Sequence, residues 1–263
     1  MSKRLSHVRL SVDLCCDVGE GFGAYVIADD ERLLDVVTSA NIACGFHAGD
    51  PRIIASTVAS AARRGVSIGA HPGYPDLVGF GRRRIVMSTD EIATDLLYQL
   101  GALSAFVRRH DLTLQHITPH GSLGNTAAVD VDCARGVIEA VEAFDPDLTI
   151  VTGEGELARM ARQGGFRVAV MFLADRAYTE ELHPVSRSQP GAVLTQGDEV
   201  AERVVRAVTE GVVETVAGTD VPLRSDTVLI HSDTPSAAHL AARIRQALTE
   251  AGVAIEPMAN VLR

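Results

Sequence analysis

The chain has 263 residues, a formal net charge of -10 and a hydrophobic content of 46%, while aromatic residues account for only 4%. This length is ordinary for one α/β barrel, and a core made mainly of Val, Ile, Leu and Ala suits buried parallel strands. The acidic balance, with no basic run beyond residues 82–84, argues against nucleic acid or a membrane surface as the partner. We therefore expect one barrel domain over residues 1–263 that acts on a small molecule.

The four cysteines, Cys15, Cys16, Cys44 and Cys133, form neither a CxxC pair nor a zinc-ribbon spacing. Reduced thiols and a cytoplasmic location are the simplest interpretation. Residues 1–14 contain no continuous apolar segment of signal-peptide length, and the chain has no apolar stretch of about 18 residues that would predict a transmembrane helix. The sequence thus predicts a soluble protein that is not exported.

The first predicted strand has one polar face. Residues 8–14 alternate apolar and polar side chains, so a strand there places Asp13 and Asp17 opposite the apolar positions. If helices cover the apolar face, the polar face points into a barrel lumen and leads into a glycine-rich loop that carries Glu20. The alternative to a barrel strand is an edge strand with one solvent-exposed face. A helix over residues 29–40 follows.

A loop at residues 41–51 carries His47 at the predicted end of a short strand. Asn41 opens this stretch, and Gly45 is one of two glycines that flank the histidine and let the backbone turn tightly near a ligand. An Asp-Pro pair then starts a helix over residues 51–64. The pattern favours a histidine presented to a ligand, with an ordinary loop histidine as the alternative.

The same pattern of a strand followed by a polar loop recurs along the chain. Further strands are predicted at residues 66–71, 112–117, 148–151, 167–171, 227–231 and 253–256, helices at 88–110, 130–144, 154–163, 199–210 and 235–251, and a hairpin at 213–223. His71, His120 and His231 stand at or just after three of these strands. A long irregular stretch after residue 172 is typical of a lid or binding loop.

Seven strand-then-helix units predict a closed or nearly closed barrel. An open doubly wound sheet is the second choice, but it does not explain why polar motifs follow nearly every strand. Loops at the C-terminal face of a barrel build its active site, and they carry Asp13, Asp17, Glu20, His47, His71, His120, Asp175, Arg176, His231 and Asp233. This set can hold a divalent metal that activates water, or it can act as acids and bases beside a phosphate-binding arginine. Without an HxxxH or HxH pair, spacing does not decide between them.

Several long motifs together resemble the lactam-utilisation family, whose members are described as the A subunit of bacterial 5-oxoprolinase. The motifs include Asp13-Leu-x-Cys-Asp17-x-Gly-Glu20, Ser39 to Asp50, Gly69 to Asp76, Gly79 to Arg82, Pro119-His-Gly121 with Asn125, Asp175 to Tyr178, Ser186-Arg187, and His231-x-Asp-Thr-Pro235. The resemblance spans almost the whole chain. It implies a distorted (β/α)7 TIM-like barrel of the glycoside hydrolase/deacetylase type, ATP-dependent opening of 5-oxoproline to glutamate, and two partner subunits.

The resemblance also suggests roles for the candidate residues. The catalytic set is Asp17, Glu20, His47, His71, His120 and Asp233, and the substrate- or phosphate-binding set is Asp13, Asn41, Gly45, Asn125, Asp175, Arg176, Arg187 and His231. If a divalent metal binds at the barrel mouth, its candidate ligands are Asp17, His47 and His71. ATP with Mg²⁺ is the implied cofactor, but the chain lacks a GxxxxGK[ST] loop, so its site is unconventional or shared with partners. Self-association stays open.

The chain departs from the family pattern at three positions. Cys15 stands where the family has Asn, Thr118 where it has Lys, and Gly124 where it has Tyr. Losing the Lys removes a mobile positive charge beside His120, and losing the Tyr removes an aromatic wall and a hydroxyl. The alternatives are therefore a divergent paralogue acting on another cyclic amide, a metal-dependent deacetylase or amidase, and a degenerate barrel that only binds a small acid or supports a complex.

Overall fold

Seven parallel strands close a barrel in the computed structural model, which describes residues 10–262. The described residues contain ten strands in all, of which β1 to β6 and β9 form the barrel: β1 (Ser11–Val18), β2 (Ser39–Ala43), β3 (Ser67–His71), β4 (His116–Ile117), β5 (Thr149–Thr152), β6 (Val168–Leu173), β7 (Val212–Glu214), β8 (Asp220–Pro222), β9 (Thr227–Ile230) and β10 (Ala254–Ile255). The barrel runs from β1 to β6 and then to β9, which pairs in parallel with β1 and closes it. Strand β10 pairs in parallel with the first two residues of β1, and β7 and β8 form the predicted hairpin.

Helices surround the barrel and follow its strands. They are α1 (Asp30–Leu34), α2 (Pro51–Arg64), α3 (Thr89–Arg108), α4 (Gly121–Ala127), α5 (Val131–Phe144), α6 (Glu156–Gln163), α7 (Gly197–Thr209), α8 (Ala237–Glu250) and α9 (Met258–Val261). The predicted signals act as expected at α2 and α3. Asp50 accepts hydrogen bonds from first-turn amides of α2, and Ser88 with Glu91 forms a capping box on α3. No helix within residues 10–262 combines the length and apolar character that crossing a membrane requires.

The closed parallel barrel confirms the predicted fold class, but several element bounds were wrong. The helix predicted over residues 29–40 ends at Leu34, because Ser39 and Ala40 pair with β1 as part of β2. Strand β4 is shorter than the predicted 112–117, and α4 was not predicted. The first two residues of the predicted 8–14 strand lie outside the described part of the chain.

A buried polar layer fills the lumen beneath the C-terminal face. At its centre the Asn41 side-chain oxygen accepts a hydrogen bond from Thr118 Oγ1 at 2.9 Å and pairs with His116 Nε2 at 2.8 Å. Gly69 lies opposite, and a Cβ atom at that position would overlap the His116 ring. The glycine therefore makes room for the imidazole that holds Asn41 in place.

Gly69→Ala tests this close approach. The added methyl group has to displace a fully buried ring, so we expect the free energy of unfolding to fall by about 1–3 kcal/mol, measured by urea denaturation. Gly101→Ala is the matched control, because Gly101 lies within α3 with open space where its Cβ would stand. Alanine there should raise stability by about 0.5–1 kcal/mol. Equal effects of the two substitutions would contradict the packing described here.

Candidate active site

Four strand ends bring acidic and imidazole side chains to one point at the C-terminal face. Asp17 lies near the end of β1 and Glu20 in the loop that follows it, while His47 comes from the loop after β2. His71 ends β3, and His120 is the N-cap residue of α4 just after β4. All five side chains are buried, with relative exposures of 0–4%. The barrel thus gathers residues that are up to about a hundred positions apart in the sequence.

Asp17 and His71 form a buried ion pair. Asp17 Oδ1 lies 3.4 Å from His71 Nε2 and accepts a hydrogen bond from Asn41 Nδ2 at 2.9 Å. Burial alone would raise the pKa of Asp17, but the charge of His71 and the two hydrogen bonds hold it far below its ordinary value. Burial likewise opposes the charge on His71, yet Asp17 raises the pKa of that imidazole above its ordinary value. Both shifts favour the ionised form of the pair.

Two backbone carbonyl groups fix the protons on the histidine rings. His71 Nδ1 lies 2.7 Å from the carbonyl oxygen of Thr118, and His120 Nε2 lies 2.8 Å from that of Phe80. A carbonyl oxygen can only accept, so both of these ring nitrogens carry hydrogen. The remaining contact, His71 Nε2 to His120 Nδ1 at 2.9 Å, is then a hydrogen bond from the imidazolium of His71 to a neutral His120.

Glu20 lies between His47 and His120. Its Oε1 is 3.2 Å from His47 Nε2 and 3.5 Å from His120 Nδ1, while Oε2 accepts a hydrogen bond from Ser232 Oγ at 2.8 Å. Burial, followed by the charge of Asp17, raises the pKa of Glu20 to about 7. This carboxyl group can therefore gain or lose a proton near neutral pH, as general acid–base catalysis requires.

His47 is held as a neutral ring. It stacks on His120 with ring centroids 3.7 Å apart and an interplanar angle of 4°. Burial, followed by the charge of His71, lowers the pKa of His47 well below its ordinary value, and the same influences together with His47 lower that of His120. Among residues 10–262, His47 Nδ1 has no hydrogen-bond partner.

The cluster also meets the geometric requirements of a metal site. One ligand atom from each of Glu20, His47, His71 and His120 can be chosen so that all four lie within 4.8 Å of one another. Three imidazole nitrogens and a carboxylate oxygen are donor types that Zn²⁺ takes, so the residues fit a divalent metal. This set contains the predicted candidates His47 and His71, whereas Asp17 lies outside it.

A cavity of about 510 Å³ opens beside the cluster. Asp17, His71 and His120 form part of its wall, but Glu20 and His47 lie outside that wall. Its other polar wall residues include Arg82, Thr118, Asn125, Arg176, Arg187 and His231, and its apolar wall includes Val129, Val151, Met171, Leu182, Leu223 and Leu229. Among the wall residues, His120 contacts Glu20, with its Nδ1 3.5 Å from Glu20 Oε1.

The structure places the other predicted residues in three different settings. Asp175 Oδ1 contacts His231 Nδ1 at 2.8 Å, which orients a histidine of the cavity wall. Asp233 is outside the cavity wall but pairs with two wall residues, Arg82 and Arg187. Asp13 lies deeper in the barrel, where three hydroxyl groups bond to it, from Thr38, Ser39 and Thr227. Asp13 is therefore outside the cavity wall, and its contacts tie β1 to both neighbouring strands.

Gly45 shapes the loop that carries His47. Its φ of 96° is in a region that favours glycine, and its amide donates a hydrogen bond to the Ala48 carbonyl oxygen at 2.9 Å. Its contribution is thus a tight turn. Asn125, by contrast, is an exposed residue of α4 on the cavity wall.

Sequence reasoning missed several residues of the site. His116 and Thr118 precede His120 at intervals of two, which is the strand period that places side chains on one face, so this signal was present. Ser232 lies inside a predicted motif without having been assigned a contact. The Phe80 carbonyl group carries no side-chain signal, because its role comes from the path of the loop after β3.

Two of the three family departures change the cavity itself. Thr118 and Gly124 are both wall residues, whereas Cys15 is buried within β1. A Cβ atom at Gly124 would lie 2.6 Å from the Pro119 carbonyl oxygen. A tyrosine at this position therefore requires a shift of the segment that starts α4.

The closed parallel barrel and its surrounding helices define the molecule as a (β/α)7 barrel, with its polar cluster at the C-terminal face, where barrel enzymes carry their active sites. A GH18 chitinase from Pseudoalteromonas aurantia shares the fold alone, with a TM-score of 0.50 and 10% identity over 91% of this chain and 99% of that one. The chain belongs to the LamB/YcsF family, whose model matches residues 12–263.

Relatives match the chain over nearly their whole length. The A subunit of 5-oxoprolinase from Syntrophobacter fumaroxidans is 48% identical over 95% of this chain and 99% of the relative. The corresponding protein of Pyrococcus furiosus, which carries the same name, is 44% identical over 97% and 100%. The crystal structure of the lactam utilization protein from Thermus thermophilus is similar with a TM-score of 0.88 and 44% identity, covering 94% of this chain and 99% of that chain.

Proposed function

We propose that this protein is one subunit of an ATP-dependent 5-oxoprolinase that opens the lactam ring of 5-oxo-L-proline to L-glutamate. The observation that carries the proposal is the contiguous set of Asp17, His71, His120 and Glu20 beside a cavity, in a chain whose full-length relatives are named as the A subunit of 5-oxoprolinase. An enzyme component of this kind has further subunits as partners, and we expect two. ATP with Mg²⁺ is the proposed cofactor.

Hydrolysis of a lactam requires one proton to leave the attacking water and one to reach the ring nitrogen. The bond from water oxygen to the carbonyl carbon forms, the ring C–N bond breaks, and the products are an amine and a second carboxylate. An unstrained lactam is a resonance-stabilised amide, so transfer of the γ-phosphoryl group of ATP to its oxygen, with ADP as the leaving group, would create a better electrophile. Attack of water and cleavage of the C–N bond would then give an acyl phosphate, and a second water would release inorganic phosphate and the carboxylate. The chain lacks a Walker-type loop, so ATP binds at an unconventional site or one shared with partners.

The proton path follows from the tautomers of the two cavity histidines. The one lone pair of His120 Nδ1 accepts the hydrogen of His71 Nε2 at 2.9 Å, while the Nε2 hydrogen of His120 stays on the Phe80 carbonyl oxygen. We propose that a bound substrate takes over this N–H group of His71, which frees His120 Nδ1 to act as the base. A proton taken from water at Nδ1 can pass to Glu20, whose Oε1 lies 3.5 Å away and whose pKa is about 7. The imidazolium of His71, held by Asp17, can stabilise the negative charge of the phosphoryl group on the activated lactam oxygen.

Substitution of His120 tests its role in the assembled enzyme. His120→Ala removes the wall residue that joins the cavity to Glu20, so we expect kcat for 5-oxoproline to fall by about 10²-fold or more. The assay follows glutamate release with ATP and the partner subunits present. His239→Ala is the control, because His239 is exposed on α8.

Two results would contradict this proposal. Wild-type turnover by His120→Ala in the complex would leave the barrel with a binding or scaffolding role only. Hydrolysis of 5-oxoproline by the purified chain without ATP and partners would refute the ATP-coupled reaction.

A metal-dependent amidase or deacetylase is the second candidate function, and the four-atom cluster of Glu20, His47, His71 and His120 favours it. Those residues would hold the ion, which would supply a Lewis acid and a more acidic water. The acid–base enzyme and the metal-dependent enzyme make incompatible demands on His120 Nδ1. This nitrogen cannot accept the His71 proton and bind a metal ion at the same time.

Zinc titration separates the two candidates. For the acid–base enzyme, we expect well under one metal ion per chain after dialysis, and added Zn²⁺ should inhibit because it displaces the proton between His71 and His120. Metal content is measured by mass spectrometry and turnover in parallel. About one retained ion per chain, lost in His47→Ala together with activity, would instead establish the metal-dependent enzyme.

A further inference from the structure

Two arginines on the cavity wall have N–H donors without a hydrogen-bond partner among the described residues. Arg82 comes from the loop after β3 and Arg187 from the long loop after β6, and both line the cavity. Arg176 also lines it, but its guanidinium donates to the backbone carbonyl groups of Ala192 and Val185 and so shapes its own loop. The first two arginines are therefore the ones available to a ligand.

Asp233 bridges these two arginines from outside the cavity wall. Its Oδ2 lies 2.7 Å from Arg82 NH1, and its Oδ1 lies 3.4 Å from Arg187 NH2. Within residues 10–262, Asp233 is the one hydrogen-bond acceptor of either guanidinium group. Since each guanidinium has five N–H donors, most donors of both groups are left over. The arginine side chains are 30% and 23% exposed, so solvent and ligands can reach them.

The local charge favours an anion. Two guanidinium groups face one carboxylate, which leaves a positive charge uncompensated. The effect reaches Arg176, whose pKa is lowered by burial first and also by the charges of Arg187 and Arg82. A bound oxyanion would reduce the repulsion between the guanidinium groups and would accept hydrogen bonds from their free N–H groups.

We propose that Arg82 and Arg187, positioned by Asp233, anchor an oxyanion of the substrate. This inference rests on the proposed function and specifies its substrate class as a small amide with a carboxylate or phosphate group. The planar fork of a guanidinium group matches two oxygens of either anion. Asp233 acts as a positioning residue that holds guanidinium groups from two different loops at one place.

Phe80 connects Arg82 of the anchor to His120 of the proton-transfer residues. The guanidinium carbon of Arg82 lies 4.9 Å from the centroid of the Phe80 ring, and the carbonyl oxygen of Phe80 holds His120 at 2.8 Å. An anion bound at Arg82 therefore lies near the reacting amide. This arrangement suits a lactam whose carboxylate is attached next to the ring nitrogen, or whose activated oxygen carries phosphate.

Calorimetric titration of the full-length chain tests the anchor without turnover, ATP or partners. The probes are 5-oxoproline, its neutral carboxamide and inorganic phosphate. We expect Arg82→Gln and Arg187→Gln each to weaken binding of at least one anion about tenfold or more, without weakening the carboxamide. Arg84→Gln is the matched control, since Arg84 belongs to the same basic run, is 70% exposed and lies outside the cavity wall.

The two anions distinguish the source of the oxyanion. Selective loss of 5-oxoproline binding identifies a carboxylate anchor, and selective loss of phosphate binding identifies a phosphate anchor. Arg187→Lys retains the charge without the fork, so it should give an intermediate loss if Arg187→Gln does not fold.

Three outcomes would overturn the anchor. They are unchanged anion affinity in both Gln variants, an equal loss in Arg84→Gln, and absence of binding of either anion to the wild-type chain. The His120→Ala assay is independent of these titrations. If the titrations reject the anchor but His120→Ala loses turnover as expected, the proposed reaction still stands. If the titrations support the anchor but His120→Ala keeps wild-type turnover, only the proposed reaction is rejected.

Discussion

The ion pair between Asp17 and His71 is the interaction on which the rest of the site depends. A carboxylate placed in a closed lumen is costly unless charges and hydrogen bonds compensate it. The register of the barrel supplies both, because Asp17 pairs with Asn41 across β1 and β2, and β3 ends at His71. Asn41 in turn depends on His116, which fits only because Gly69 has no side chain.

Once this charge pair is fixed, the protonation of its neighbours follows. The positive charge of His71 disfavours a second charge on His47 or His120, and the negative charge of Asp17 disfavours ionisation of Glu20. Burial acts in the same direction on all three groups. The result is an ion pair beside groups that can exchange a proton, which is the separation of roles that the proposed lactam hydrolysis requires.

The sequence was informative where local pattern decides structure. Alternation on β1 indicated that Asp13 and Asp17 share a face, and the Asp-Pro start and final glycine bounded α2 correctly. Prediction failed where strand pairing decides the structure, as at residues 35–40, which were included in the preceding helix although Ser39 and Ala40 pair with β1. The barrel prediction implied that the histidines at the strand ends lie close together. It did not identify their hydrogen-bond partners. The Phe80 carbonyl group and the bridge from Asp233 to Arg82 depend on loop conformations that no periodicity encodes.

Histidine protonation is the most direct test of the central claim that charge resides on the Asp17–His71 pair. We propose ¹⁵N-detected NMR of histidine-labelled, metal-free protein over about pH 6 to 8. The His71 ring should stay doubly protonated through neutral pH because Asp17 raises its pKa, and Asp17→Asn should lower that pKa. His47 and His120 should stay neutral throughout, with the hydrogen of His120 on Nε2. A neutral His71 at neutral pH, or a His120 ring that gains its proton within this range, would contradict the account.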